Sequence, residues 1–162
     1  MKAPSLIRKF AVLFLLLSMA LTVMNCSKKE EEPAPDPSLS TKIKATWKAK
    51  NVYDKQGSAA EVDQLPTLLI LYPCVKDASF TFQDNGVLVG NFTNDCKAAV
   101  ALILGGSDNF KYEIKDNKLL VTSSSNPAVS FDLSFSGSDM ILGTSSTSGG
   151  VTSTRRIVFA KQ

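Results

Sequence analysis

The chain has 162 residues, with 18 Lys+Arg, 15 Asp+Glu and no histidine. Without histidine there is no Ser-His-Asp or Cys-His nucleophile arrangement and no histidine metal site. Three of the basic residues, Lys2, Arg8 and Lys9, lie within the first 25 positions; setting them aside leaves 15 basic against 15 acidic, a near-neutral balance that lacks the basic footprint of a nucleic-acid binder.

In chain order, those basic residues lead into Phe10–Met24, apolar except for Ser18 and Thr22. A positive start, an apolar run and then an abruptly polar stretch is the pattern of a removable export leader. The apolar run of 15 residues falls short of the ~20 that a helix needs to cross a bilayer. Residues 1–25 are therefore expected to be a signal peptide.

Cys26 closes the apolar run, with Val23 before it and Ser27-Lys28-Lys29-Glu30-Glu31-Glu32 behind it. This resembles the lipobox of bacterial lipoproteins, which implies that Cys26 becomes the lipid-carrying N-terminus and anchors the protein to a membrane. Ordinary cleavage after Ser18-Met19-Ala20 is the alternative. The charged stretch resembles the lysine-plus-acid export signal of surface lipoproteins of the Bacteroidetes, which implies an outer-membrane protein exposed on the cell surface; a solvated spacer is the plainer reading. With Pro33, Pro35 and Pro37 and little apolar surface, residues 26–40 read as a disordered, extended tether.

From Thr41 onward a period of two dominates. Phe80 and Phe82 share a face, as do Phe110, Tyr112 and Ile114, then Val129, Phe131, Leu133 and Phe135, then Ile157 and Phe159. Turn chemistry separates these runs at Asp84-Asn85-Gly86, Asp116-Asn117, Ser136-Gly137-Ser138-Asp139 and Ser148-Gly149-Gly150. Strands are expected at 42–54, 77–83, 86–92, 108–115, 118–123, 128–135, 139–145 and 151–160. Sequential hairpins with one apolar face make a meander, and closing it hides both edges. Residues 41–162 thus predict one all-β domain, a single eight-stranded up-and-down antiparallel β-barrel. The apolar runs 66–72 and 98–104 lack clean alternation and fit either a short helix or a strand.

Beyond Cys26 only Cys74 and Cys96 remain. Two cysteines in an exported domain ordinarily pair, and this pair would close a loop of about 23 residues, worth roughly 3 kcal/mol in the chain-entropy model. A redox or metal thiol pair is the alternative, but there is no C-x-x-C spacing and no histidine. No metal or other cofactor is expected. Gly105-Gly106 lacks the Lys-Ser/Thr of a phosphate loop. Asp84, Asp116 and Asp139 fall at turns, where acids are structural, and the stretches Thr122–Ser125 and Thr144–Ser148 read as ordinary exposed strand ends.

The stretch from Cys74 through Phe80-Thr81-Phe82 to Gly86, followed by Cys96, together with Trp47 and the closing run Arg156-Ile157-Val158-Phe159-Ala160-Lys161, resembles the lipocalin-like domain lipoproteins of Bacteroidetes. The resemblance spans about 41–162 and implies a calyx-like barrel. Eight strands leave an interior that is either filled by side chains or holds one small ligand. Trp47, Phe80, Phe82, Tyr112, Phe131 and Leu133 are the candidates to line it. Two functions follow: a membrane-anchored binding module for a small hydrophobic ligand, or a structural protein that docks to an outer-membrane complex without a ligand cavity. Catalysis is not expected.

Overall fold

The computed structural model describes residues 37–124 and 126–162. The expected leader, Cys26 and residues 27–36 of the tether lie outside them. The chain forms strands β1 (Thr46–Gln56), β2 (Val62–Asp63), β3 (Ser79–Phe82), β4 (Val87–Asn91), β5 (Phe110–Lys115), β6 (Lys118–Thr122), β7 (Val129–Ser136), β8 (Asp139–Ser148) and β9 (Val151–Lys161). Among the described residues, helix α1 (Pro37–Lys42) precedes β1, α2 (Leu65–Leu71) lies between β2 and β3, and α3 (Lys97–Leu104) between β4 and β5.

From β3 to β9 each strand pairs antiparallel with the next, β1 pairs with β3, and β1 pairs back with β9 from Trp47↔Lys161 to Gln56↔Ser153. The meander is therefore a closed eight-stranded barrel. β2 is a two-residue addition to β1, in register as Tyr53↔Asp63 and Asp54↔Val62. Tight turns follow the expected chemistry. Asp116 (φ 51°) and Asn117 (φ 59°) reverse the chain between β5 and β6, a positive-φ pair that short polar side chains tolerate.

Alternation places the core inside. In β7, Phe131 and Leu133 are buried while Ser130, Asp132 and Ser134 are exposed; Met140 and Leu142 in β8, and Ile157 and Phe159 in β9, continue the interior. Burying each such side chain contributes roughly 1.5–3 kcal/mol. Among the described residues no polar or charged residue is buried as a whole, although Ser123 Oγ is shielded and without a hydrogen-bond partner.

The first expected strand needs correction. It was expected from residue 42 and the tether through residue 40, yet Pro37–Lys42 is helical and the strand begins at Thr46. The reason is packing. Leu39 leans on the core and Ile43 is completely buried, its N–H donating to Leu39 O at 3.0 Å. Ile43 O in turn accepts from Trp47 Nε1 at 2.7 Å. These contacts plug the base of the barrel, where Trp47 stands.

The two ambiguous runs are both helices. In α3 the buried residues Ala99, Val100, Ile103 and Leu104 fall on one face of a 3.6-residue period, which is why 98–104 showed no alternation. Gly105, at φ 76°, ends the helix in a left-handed conformation, with its Cα against Val129. In α2, Leu65, Leu68 and Leu69 lean on the core while Ile70 and Leu71 face outward.

Candidate binding site at the barrel mouth

Of the six residues expected to line a pocket, Trp47, Phe80, Phe82, Tyr112 and Phe131 border neither the mouth cavities nor the hollow at the base, and Leu133 borders only the latter. Trp47, Phe80, Phe82, Phe131 and Leu133 are buried in packed surroundings. Phe80 meets Phe159 edge-on at 6.1 Å between ring centres, and Phe82 meets Tyr112 at 4.9 Å. Tyr112 is half-buried and donates its hydroxyl to Gln83 O at 2.6 Å; burial pushes its phenol above the ordinary value, with the Asp84 carboxylate adding to the rise and Lys44 opposing it. Leu133 also borders a shallow hollow at the base with Leu39, Lys42 and Phe135.

Two adjoining openings lie at the other end, where β1 ends and β8 turns into β9. The inward parity of the core strands runs on past the last apolar residue. Val52 is followed by Asp54 and Gln56, Met140 and Leu142 by Thr144 and Ser146, and Ile157 is preceded by Arg155 and Ser153. The polar members of these series, Asp54, Gln56, Thr144, Ser146, Ser153 and Arg155, line an open vestibule of about 570 Å³, with Lys55 and Thr154 at its edge. A smaller pocket of about 140 Å³ adjoins it, sharing Asp54, Gln64 and Arg155, and is walled by Val52, Leu68, Leu102, Ile103 and Ile157. Thr144 and Ser146, expected to be plain exposed strand ends, thus face the vestibule. Periodicity carried beyond the apolar stripe was the signal that could have found them.

Two helices cover the mouth. Thr67 and Leu68 of α2 and Leu102 and Ile103 of α3 border the smaller pocket from opposite sides. Cys74 sits in the 3₁₀ turn Pro73–Lys76 that follows α2, and Cys96 in the turn Asn94–Cys96 that leads into α3. The two form a disulfide with Cα atoms 5.7 Å apart. The expected pairing therefore ties one cap to the other.

Arg155 sits where the two cavities meet. Its Nε donates to Asp54 Oδ1 at 2.7 Å, its Nη2 to Asp54 Oδ2 at 2.9 Å, and its Nη1 to Leu102 O at 3.2 Å. The Asp54 hydrogen bonds hold the guanidinium above its ordinary pKa, against the opposing effect of burial. The next residue, Arg156, points outward, grips Glu61 at 2.6 Å and lies 4.3 Å over the ring of Tyr53. Asp63 anchors the start of α2. Its Oδ1 accepts from Val52 N at 3.1 Å and Leu65 N at 3.0 Å, and its Oδ2 from Asn51 Nδ2 at 2.7 Å.

An eight-stranded antiparallel cylinder, closed at its base and carrying a capped, cavity-bearing mouth, is a calyx-type barrel. The chain belongs to the lipocalin-like domain family, whose model matches residues 43–142. Barrels of this family are typically binding modules rather than catalysts. The matched stretch holds most of the core and ends just before Thr144, so the mouth residues of β8 and β9 fall after it. No curated protein and no solved structure matches the chain.

Proposed function

We propose that this domain binds a small, mainly apolar molecule at the capped mouth of its barrel, and that lipid on Cys26 holds it at the outer membrane, facing the cell surface. One observation carries the binding reading: the apolar pocket of about 140 Å³ beneath α2 and α3, opening onto the vestibule. A cavity of roughly 150 Å³ has room for a molecule the size of benzene. The ligand's apolar part is thus a single ring or a short branched chain. Native mass spectrometry of protein purified from its own host tests this. A retained small molecule that is lost in Thr67→Trp, which fills the rim without disturbing the core, supports the reading; an identical adduct in both proteins, or none in either, counts against it.

The anchoring half rests on Cys26 and the charged stretch behind it. Three acyl chains, each buried CH₂ adding about 0.8 kcal/mol, would make attachment effectively permanent. Cys26→Ser should release the protein from membranes, and retention without lipid labelling would overturn this. A second reading, docking to an envelope protein, draws on Ile70 and Leu71 of α2, which are 79% and 65% exposed. Ile70→Asp separates the two: it should leave ligand retention intact and abolish co-purification of any bound protein.

A further inference from the structure

Resting on the reading that the mouth binds a small molecule, we infer that the group recognised there is an uncharged hydrogen-bond acceptor, such as a ketone or ester oxygen on an apolar ring, and that Asp54 is the residue that excludes carboxylates. The argument begins with donors. A guanidinium carries five N–H groups. Arg155 gives three of them to Asp54 and Leu102 O, which leaves one on Nη1 and one on Nη2. Arg155 borders both the apolar pocket and the vestibule, so these donors stand where an apolar body in the pocket would present a polar substituent.

Charge decides what that substituent is. The Asp54 carboxylate lies against the guanidinium through two hydrogen bonds, at 2.7 and 2.9 Å, and cancels its charge. A ligand carboxylate reaching the free N–H groups would also face the Asp54 carboxylate held on the same guanidinium. Attraction and repulsion would offset each other, and the cost of stripping water from the anion would remain. A neutral carbonyl has little hydration to lose and needs only a donor. The other charged side chains nearby do not change this balance. Lys55 has the opposite strand parity and helps to hold Glu61 low in pKa on the outer face, and Arg156 is taken up by Glu61. Lys55 borders the vestibule as well, at its outer rim, and the polar residues Gln56, Gln64, Thr144, Ser146, Ser153 and Thr154 that complete the lining are uncharged.

Acetophenone and benzoate make the test, being nearly the same size and shape and differing in charge. The sample is the full chain carrying Cys26→Ser, which keeps acyl chains out of the solution. Methyl resonances of Leu68, Leu102 and Ile103 are followed during titration at pH 7. Acetophenone should bind at least about 10-fold more tightly than benzoate, and Asp54→Asn should invert the order by freeing the charge of Arg155. Benzoate binding as tightly as acetophenone to the Asp54 protein overturns this inference alone, whether or not the Asn variant folds. Titrations in which neither compound moves any of these methyls overturn the mouth as a binding site, and the inference with it.

Discussion

Asp63 is a single carboxylate that joins a bulged strand to a helix. The register of β1 against β9 slips between Ala49 and Asn51, and such a slip leaves backbone and side-chain donors in need of acceptors. Asp63 takes the Asn51 amide, the Val52 N–H and the Leu65 N–H at the start of α2. Partial burial works to raise its pKa, but the bonds from Asn51, Leu65 and Val52 together outweigh it and hold the carboxyl below its usual value near 3.8. Asp63→Asn keeps the shape, loses the charge and turns an amide toward donors, so it should cost about 1–2 kcal/mol at pH 7, in the range of a lost helix cap. The pH dependence has a definite sign. The folded carboxyl releases its proton more readily than the unfolded one, so its contribution is complete above 3.8 and is lost as the pH falls through the lower folded value. Urea denaturation of both proteins should give a constant gap from pH 7 to about pH 5 and a closing gap below 3.8. A gap that widens on acidification would contradict this account.

At the scale of elements, what could be read from the sequence depended on how far apart the partners were. Strands such as β7 announce themselves because Phe131 and Leu133 alternate with Asp132 and Ser134, and the turn at Asp116-Asn117 needs only local chemistry. The helices were harder. α3 is written in a run where Leu102 interrupts the buried face, and α1 depends on Ile43 and Leu39 finding the barrel base, contacts that no local rule supplies. The mouth was hardest, because Asp54, Thr144 and Arg155 come from three strands and meet only once the sheet closes. The disulfide belongs to this scale as well. It links the turn after α2 to the turn before α3, and so ties α2, which has no fully buried residue, to α3, which buries four. Replacing both cysteines by serine should cost roughly 3 kcal/mol by the loop-closure argument. Hydrogen exchange should place the extra opening in α2 and α3 and leave the β8–β9 hairpin protected. Uniformly faster exchange across all strands would mean that the bridge stabilises the barrel rather than its lid.

For the whole molecule, the arrangement separates the packed core from the two mouth cavities. The packed interior runs from Trp47 at the base through Phe80, Phe82, Phe131 and Leu133, while the two mouth cavities sit beyond it, among strand ends and cap helices. Core and mouth share Val52, Ile103 and Ile157, but no aromatic residue is among the walls of the two mouth cavities. Phe131, only 3% exposed, is therefore a discriminating site. Phe131→Ala removes a large side chain from a filled core and should cost about 3–5 kcal/mol, a large share of the 5–15 kcal/mol typical of a domain. Fluorescence of Trp47, the one tryptophan in the chain, would follow unfolding from within the base. If the site is at the mouth, folded Phe131→Ala should bind acetophenone within about threefold of the parent, an energy difference of under 1 kcal/mol. A folded variant that gains or loses binding tenfold would place the ligand inside the cylinder instead, among the aromatic side chains that alternation first singled out.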